Sequence, residues 1–310
     1  MTTAASSRSV TVRAPAKVNC ELRVGPRQRD GYHELATVFM AVGIYDEVTV
    51  TRSDRWSVHT TGPYAAAVPD GGDNLALRAA RLLARRAGVS SPAVEIGIAK
   101  EIPVAGGMAG GSADAAAALL ACDHLWRLGL EREELLEIAA ELGADVPFSF
   151  SGGIAVGSGR GDVLAPVLAR GTYHWVFAIS AQGLSTPHVF AECDRLRGRR
   201  AVATPQPSPA MMTALRSGDP EALAEALGND LQEAAVSLQP ALQEVIDAGA
   251  EFGALGTLVS GSGPTVAMLA RSSEHALDLA VALTASGIAA EVKRAKGPVH
   301  GCQLIAPPRD

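Results

Sequence analysis

Aromatic residues are scarce in this sequence, with 3 Trp, 4 Tyr and 6 Phe among 310 residues. A core built without rings rests on Ala, Val and Leu, so a ring set outside it is conspicuous. Tyr32, inside the turn-like run Asp-Gly-Tyr-His, and Phe190 stand out on that ground. Cysteine is scarce too. Cys20, Cys122, Cys193 and Cys302 show no paired spacing, which argues against a disulfide framework or a zinc site and leaves four idle thiols. Positive charge is not in excess: 27 Lys plus Arg against 33 Asp plus Glu give a net charge of −6, against a nucleic-acid partner. The longest nearly uninterrupted apolar run, 115–122, sits between Asp114 and Asp123. It is far short of the roughly 18 residues of a membrane span. The opening MTTAASSRSV lacks the charged-then-apolar order of a secretory signal. These absences together predict a cytoplasmic protein with no membrane partner.

What is present is a 47% hydrophobic composition and 32 glycines. The length exceeds what one ordinary core serves, so two domains are expected, 1–165 and 166–310, in an α+β arrangement. Alternating residues at 10–13, 47–51 and 56–60 predict an antiparallel sheet. Helical spacing at 74–87, 112–128 and 131–142 predicts three helices, the first and third stopped by Gly88 and Gly143. Asp145, before Val146 and Pro147, falls at the N-cap of a further short helix. The second half reads as strands at 173–180, 256–260 and 265–270, helices at 220–226, 238–248 and 273–286, and strands near 291 and 302. Residues 198–209, rich in Arg, Pro and Ser, read as an exposed and mobile connection.

Chemistry is most visible at 103–114, PVAGGMAGGSAD, between a predicted strand and a predicted helix. Small residues let backbone N–H groups approach an anion, and the helix adds the positive end of its dipole, so the loop favours phosphate. Neither G-x-x-x-x-G-K-[ST] nor G-x-G-x-x-G is present, and the protein-kinase elements H-R-D and D-F-G are missing. His124, His174 and His275 have no metal-ligand spacing and read as structural.

Together with APAKVN at 14–19 and SGSGPT at 260–265, this loop resembles the three signature segments of the GHMP small-molecule kinases. RDGYHEL at 29–35 and LGADVP at 142–147 further resemble the branch acting on a cytidine diphosphate-linked methylerythritol. The resemblance runs from about residue 10 to 302. It implies a two-domain α+β fold, with an N-terminal ATP-binding domain, a ferredoxin-like C-terminal domain and the active site in the cleft. The implied reaction is transfer of phosphate from ATP, with Mg²⁺, to the 2-hydroxyl of that acceptor in the non-mevalonate isoprenoid route, by a monomer or homodimer.

Residue by residue, the resemblance makes Asp145 the base for the acceptor hydroxyl and Lys17 its cationic partner. Pro103, Val104, Ala105, Gly106, Gly107, Met108, Ala109, Gly110, Gly111, Ser112 and Ala113 would hold ATP, with Asn74 and Lys100 beside them. Tyr32 and Phe190 would sandwich the pyrimidine, His33 would bond its edge, and Asn19 and Thr186 would lie near the acceptor. Residues 260–265 would complete the cleft from the second domain. The chain departs from the family loop at Ala105, Met108, Ala109 and Ala113. Alanine in place of glycine at 105 and 109 predicts negative φ there. Alanine at 113 leaves Ser112 as the only loop hydroxyl for phosphate or Mg²⁺.

Overall fold

Valines at 10 and 12 face valines at 50 and 48 across a long hairpin, and this alternation puts one face of the hairpin against the core. The computed structural model describes residues 9–305. The hairpin is β1 (Ser9–Arg27) with β2 (His33–Arg52), both far longer than the short strands expected. Then follow β3 (Ser57–Thr61), α1 (Leu75–Arg86), β4 (Val94–Ala99), α2 (Gly110–Trp126), α3 (Arg132–Leu142), α4 (Val146–Ser151), β5 (Ile154–Ser158) and β6 (Val163–Pro166). The second half contains β7 (Tyr173–Ile179), α5 (Thr186–Arg197), α6 (Pro209–Ser217), α7 (Pro220–Ala226), β8 (Gly228–Asn229), α8 (Gln232–Leu238) and α9 (Ala241–Glu251). It ends with β9 (Gly256–Val259), β10 (Val266–Ala270), α10 (Ser273–Ser286), β11 (Glu291–Gly297) and β12 (Gln303–Ile305).

The first sheet runs β12-β1-β2-β4-β3, with β5 and β6 continuing from β2. β3 lies parallel to β4, so the sheet is not wholly antiparallel as the alternation suggested. The second sheet, ordered β11-β7-β10-β9, is antiparallel throughout. Its strands and crossovers follow the split βαβ pattern of a ferredoxin-like domain. β8 and β12, from the second half, pair with β1 in the first sheet. Trp175 and Phe177 of β7 join the same core cluster as Val18 and Met40, so the halves share one apolar interior.

α2 is buried on nearly every side, because Ala115, Ala116, Ala117 and Ala118 are small enough to sit against β1, β2 and α1. The helix expected at 238–248 is displaced. α8 stops at Leu238 and α9 starts at Ala241, since Pro240 cannot continue a helix and biases Gln239 away from helical geometry. The connection at 198–209 is anchored at its far end. Ser208 N donates to Glu21 Oε2 at 2.9 Å, and Pro205 lies so close to Gly25 that a Cβ there would meet it at 2.8 Å.

Candidate active site

The loop between β4 and α2 delivers the start of α2, with its unpaired N–H groups, to a cleft between the two sheets. Pro103, Ala105, Gly106, Gly107, Ala109, Gly110, Gly111 and Ser112 line a cavity of about 600 Å³ there. Val104, Met108 and Ala113 are not among its walls; Met108 and Ala113 are fully buried behind the loop. The backbone overturns one expectation. Ala105 has φ 52° and Ala109 has φ 63°, both left-handed, so alanine replaces glycine here in the conformation that disfavours it. Space, not φ, allows the methyl groups. The tight position is Gly107, with φ 75°, where a Cβ would fall 1.9 Å from the carbonyl oxygen of Ser260.

Lys17 and Asn19 stand on one face of β1, two residues apart. Lys17 Nζ donates to Asn19 Oδ1 at 2.5 Å, Asn19 Nδ2 donates to Thr37 Oγ1 at 2.8 Å, and Thr37 Oγ1 donates to the Glu21 carbonyl. This chain of bonds holds a buried ammonium 3.7 Å from Asp145 Oδ2. Burial pulls the Lys17 ammonium below the usual lysine range, and Asp145 opposes that fall. Asp145 sits at the N-cap of α4, as its position before Pro147 suggested, yet its side chain makes no capping bond. Its carboxylate, 34% exposed, lines the cavity instead of capping the helix.

The SGSGPT turn closes this cavity from the second half, with Gly261 and Ser262 on its wall. A Cβ at Gly261 would meet Lys17 Nζ at 3.1 Å and Asn19 Oδ1 at 3.2 Å, so glycine lets the turn touch the Lys17 site. Asn229 Nδ2 pins the turn by donating to the carbonyls of Val259 and Gly261, both at 2.7 Å. Thr186 opens α5 beside it, with its hydroxyl 2.9 Å from Ser262 Oγ.

A second cavity of about 630 Å³ adjoins the first, sharing Ala144, Arg160, Thr186 and Phe190 with it. Tyr32, His33 and Phe190 all line it. The rings do not stand as two bare platforms. His33 stacks on Phe190 with centroids 5.1 Å apart, while Tyr32, 57% exposed, carries the Arg160 guanidinium 5.5 Å from its ring centre. Each ring therefore keeps at most one open face for a ligand.

Two expected ATP contacts lie elsewhere. Lys100 is sealed beneath the loop, its Nζ 2.6 Å from both Asp46 Oδ2 and Asp114 Oδ2, because β4 turns that side chain inward. Asp46 Oδ1 also accepts from the backbone N–H groups of Glu101 and Ile102. Burial, against the pull of Lys100 and with the push of Asp46, raises the Asp114 carboxyl to about 8. Asn74 is buried as the N-cap of α1, accepting from Ala76 N and Leu77 N. Sequence reading missed Arg160, Thr37 and Asn229. Only Arg160 carried a local signal, a charged residue between two glycines; the others gain their place from distant pairings.

The family description "GHMP kinases N terminal domain" matches residues 74–153, and "GHMP kinases C terminal" matches 211–289. The chain is 54% identical to the 4-diphosphocytidyl-2-C-methyl-D-erythritol kinase of Mycolicibacterium smegmatis, over 97% of this chain and 94% of that one. It is 55% identical to the kinase of the same description from Thermobifida fusca, over 96% and 98%. A crystal structure of 4-(cytidine 5'-diphospho)-2C-methyl-D-erythritol kinase matches at TM-score 0.75 and 34% identity, over 92% of this chain and 98% of that one. Homoserine kinase from Cytophaga hutchinsonii, at TM-score 0.76 but 21% identity over 98% of this chain and 100% of that one, shares the fold alone. With both domain descriptions matched and relatives this similar along almost its whole length, the chain belongs to the GHMP kinase family, in the branch of the 4-diphosphocytidyl-2-C-methyl-D-erythritol kinases.

Proposed function

We propose that this kinase transfers the terminal phosphoryl group of ATP to the 2-hydroxyl of 4-diphosphocytidyl-2-C-methyl-D-erythritol. The observation that carries the reading is the run of two joined cavities. A glycine cradle at a helix N-terminus lies at one end, three rings lie at the other, and the Lys17–Asp145 pair stands in the stretch that holds the cradle. The cradle fits a polyphosphate. Gly106, Gly107, Gly110, Gly111 and Ser112 line the cavity with little side chain over the backbone, and the first N–H groups of α2 have no helical partners. Mg²⁺ would arrive with the nucleotide and offset charge on its phosphate oxygens.

The chain's own residues then divide the work. The α2 N-terminus orients the phosphates, Ser112 supplies a hydroxyl, and Thr186 with Ser262 borders the acceptor. Asp145 takes the proton of the attacking hydroxyl, while Lys17, fixed through Asn19 and Thr37, compensates charge on the acceptor oxygen. Tyr32, His33 and Phe190 hold the cytosine. The test is Mg·ATP with the cytidine diol, mevalonate and homoserine in parallel, followed by ³¹P NMR and ADP release. Phosphorylation of the cytidine diol alone supports the reading; turnover of mevalonate or homoserine instead would remove it.

A further inference from the structure

His33 is gripped at two points by one helix. Its ring stacks on Phe190 at an interplanar angle of 27°, and its Nε2 lies 2.8 Å from Oδ1 of Asp194, a residue 161 positions away in the chain. Phe190 and Asp194 are one turn apart on α5, the spacing that puts two side chains on the same helix face. The stack fixes the plane of the imidazole, and the carboxylate fixes its rotation within that plane. An ionised carboxylate only accepts hydrogen bonds, so the hydrogen at this contact belongs to Nε2. Nδ1 has no hydrogen-bond partner among the described residues. His33, Phe190 and Asp194 all line the larger cavity.

We propose that Asp194 is a positioning residue for base selection, holding the His33 ring with its Nε2–H on the carboxylate so that Nδ1 offers a lone pair to the exocyclic amine of cytosine. The inference rests on the reading of that cavity as the pyrimidine pocket. A uracil in the same pose presents a carbonyl oxygen where cytosine presents the amine. Two acceptors then face each other with no hydrogen between them, which penalises the wrong base.

The full-length chain serves for every arm of the test. ¹⁵N NMR of histidine-labelled, unliganded protein at pH 8 should show His33 protonated at Nε2, and should show the Nδ1–H form gaining in Asp194→Asn, where the amide can donate. A wild-type ring protonated at Nδ1 would overturn the proposal. In kinase assays Asp194→Asn should raise KM for the cytidine diol about tenfold, the loss of one hydrogen bond, with KM for ATP and kcat within about twofold. Its preference for the cytidine over the uridine acceptor should shrink by a similar factor. An unchanged preference would also overturn the proposal. If the wild type phosphorylates neither acceptor, the proposed function falls by itself, and calorimetry with CDP and UDP decides on Asp194. Tighter CDP binding, weakened in the variant, supports its role, and equal affinities refute it. The wild-type tautomer and wild-type base preference need no variant, so a poorly folding Asp194→Asn leaves the proposal testable.

Discussion

Two lysines in this chain face aspartates, and their surroundings are opposite. Lys100 lies under the phosphate loop, 2.6 Å from two carboxylates that are buried with it, and no part of the group reaches the cleft. Lys17 meets one carboxylate at 3.7 Å, at the cavity wall, with that carboxylate a third exposed. The close, sealed cluster holds the strand end and the first turn of α2 together. The longer, open contact leaves room and charge for a substrate hydroxyl to come between or beside its members. The tight contact is sealed in the fold, and the loose one opens on the cavity.

The sharpest way to break this comparison is Asp145→Asn. It should lower kcat about a thousandfold, the range of a lost general base, with a smaller loss of stability than the Lys100 cluster gives, because its carboxylate is a third exposed and Asn19 still holds Lys17. Steady-state kinetics beside urea unfolding would show both, and an active variant would end the assignment of the base. Lys100→Met should do the reverse. Leaving the buried Asp46 carboxylate without its cation should cost about 3–5 kcal/mol of stability, read from urea midpoints. A variant as stable as wild type would show that the cluster holds nothing.

The same cluster sets a pH dependence. Asp114 has its carboxyl raised from 3.8 to about 8, so the folded state keeps a proton that the unfolded chain releases. Its contribution is present below about pH 4 and is lost as pH rises to about 8. Thermal unfolding followed from pH 6 to 9 should show this decline, and Asp114→Asn should flatten it. The smallest effect concerns the loop itself. A left-handed alanine costs about 1–2 kcal/mol, and glycine returns part of that through the freedom of the unfolded chain. Ala109→Gly should therefore stabilise by up to about 1 kcal/mol, and a lower melting temperature would count against strain at that residue.

How far the sequence was legible follows from the same contrast. The glycine loop, Lys17 and Asp145 carried their signal locally, in small residues before a helix and in an aspartate before Val-Pro. Lys100 and Asn74 sat beside those motifs, but only the fold decides whether a side chain at a strand end turns inward or outward. The left-handed alanines were misread because the identity of a residue reports the usual φ, not the φ that neighbours enforce. Asp194 gained its place from α5 folding back on the β1–β2 hairpin, which no short window contains. The helix break at Pro240 was legible in principle, since proline states its own constraint.

Gly107 draws these parts together. Its missing side chain lets the backbone of the phosphate cradle press directly on the carbonyl of Ser260, and the Ser260 hydroxyl donates back to the Gly107 carbonyl at 3.2 Å. The two halves of the protein thus meet backbone to backbone at the wall of the cavity that holds Lys17 and Asp145. The width of the cleft is then a dimension of the folded chain, set before any ligand arrives, and a single methyl group at that residue would reset it.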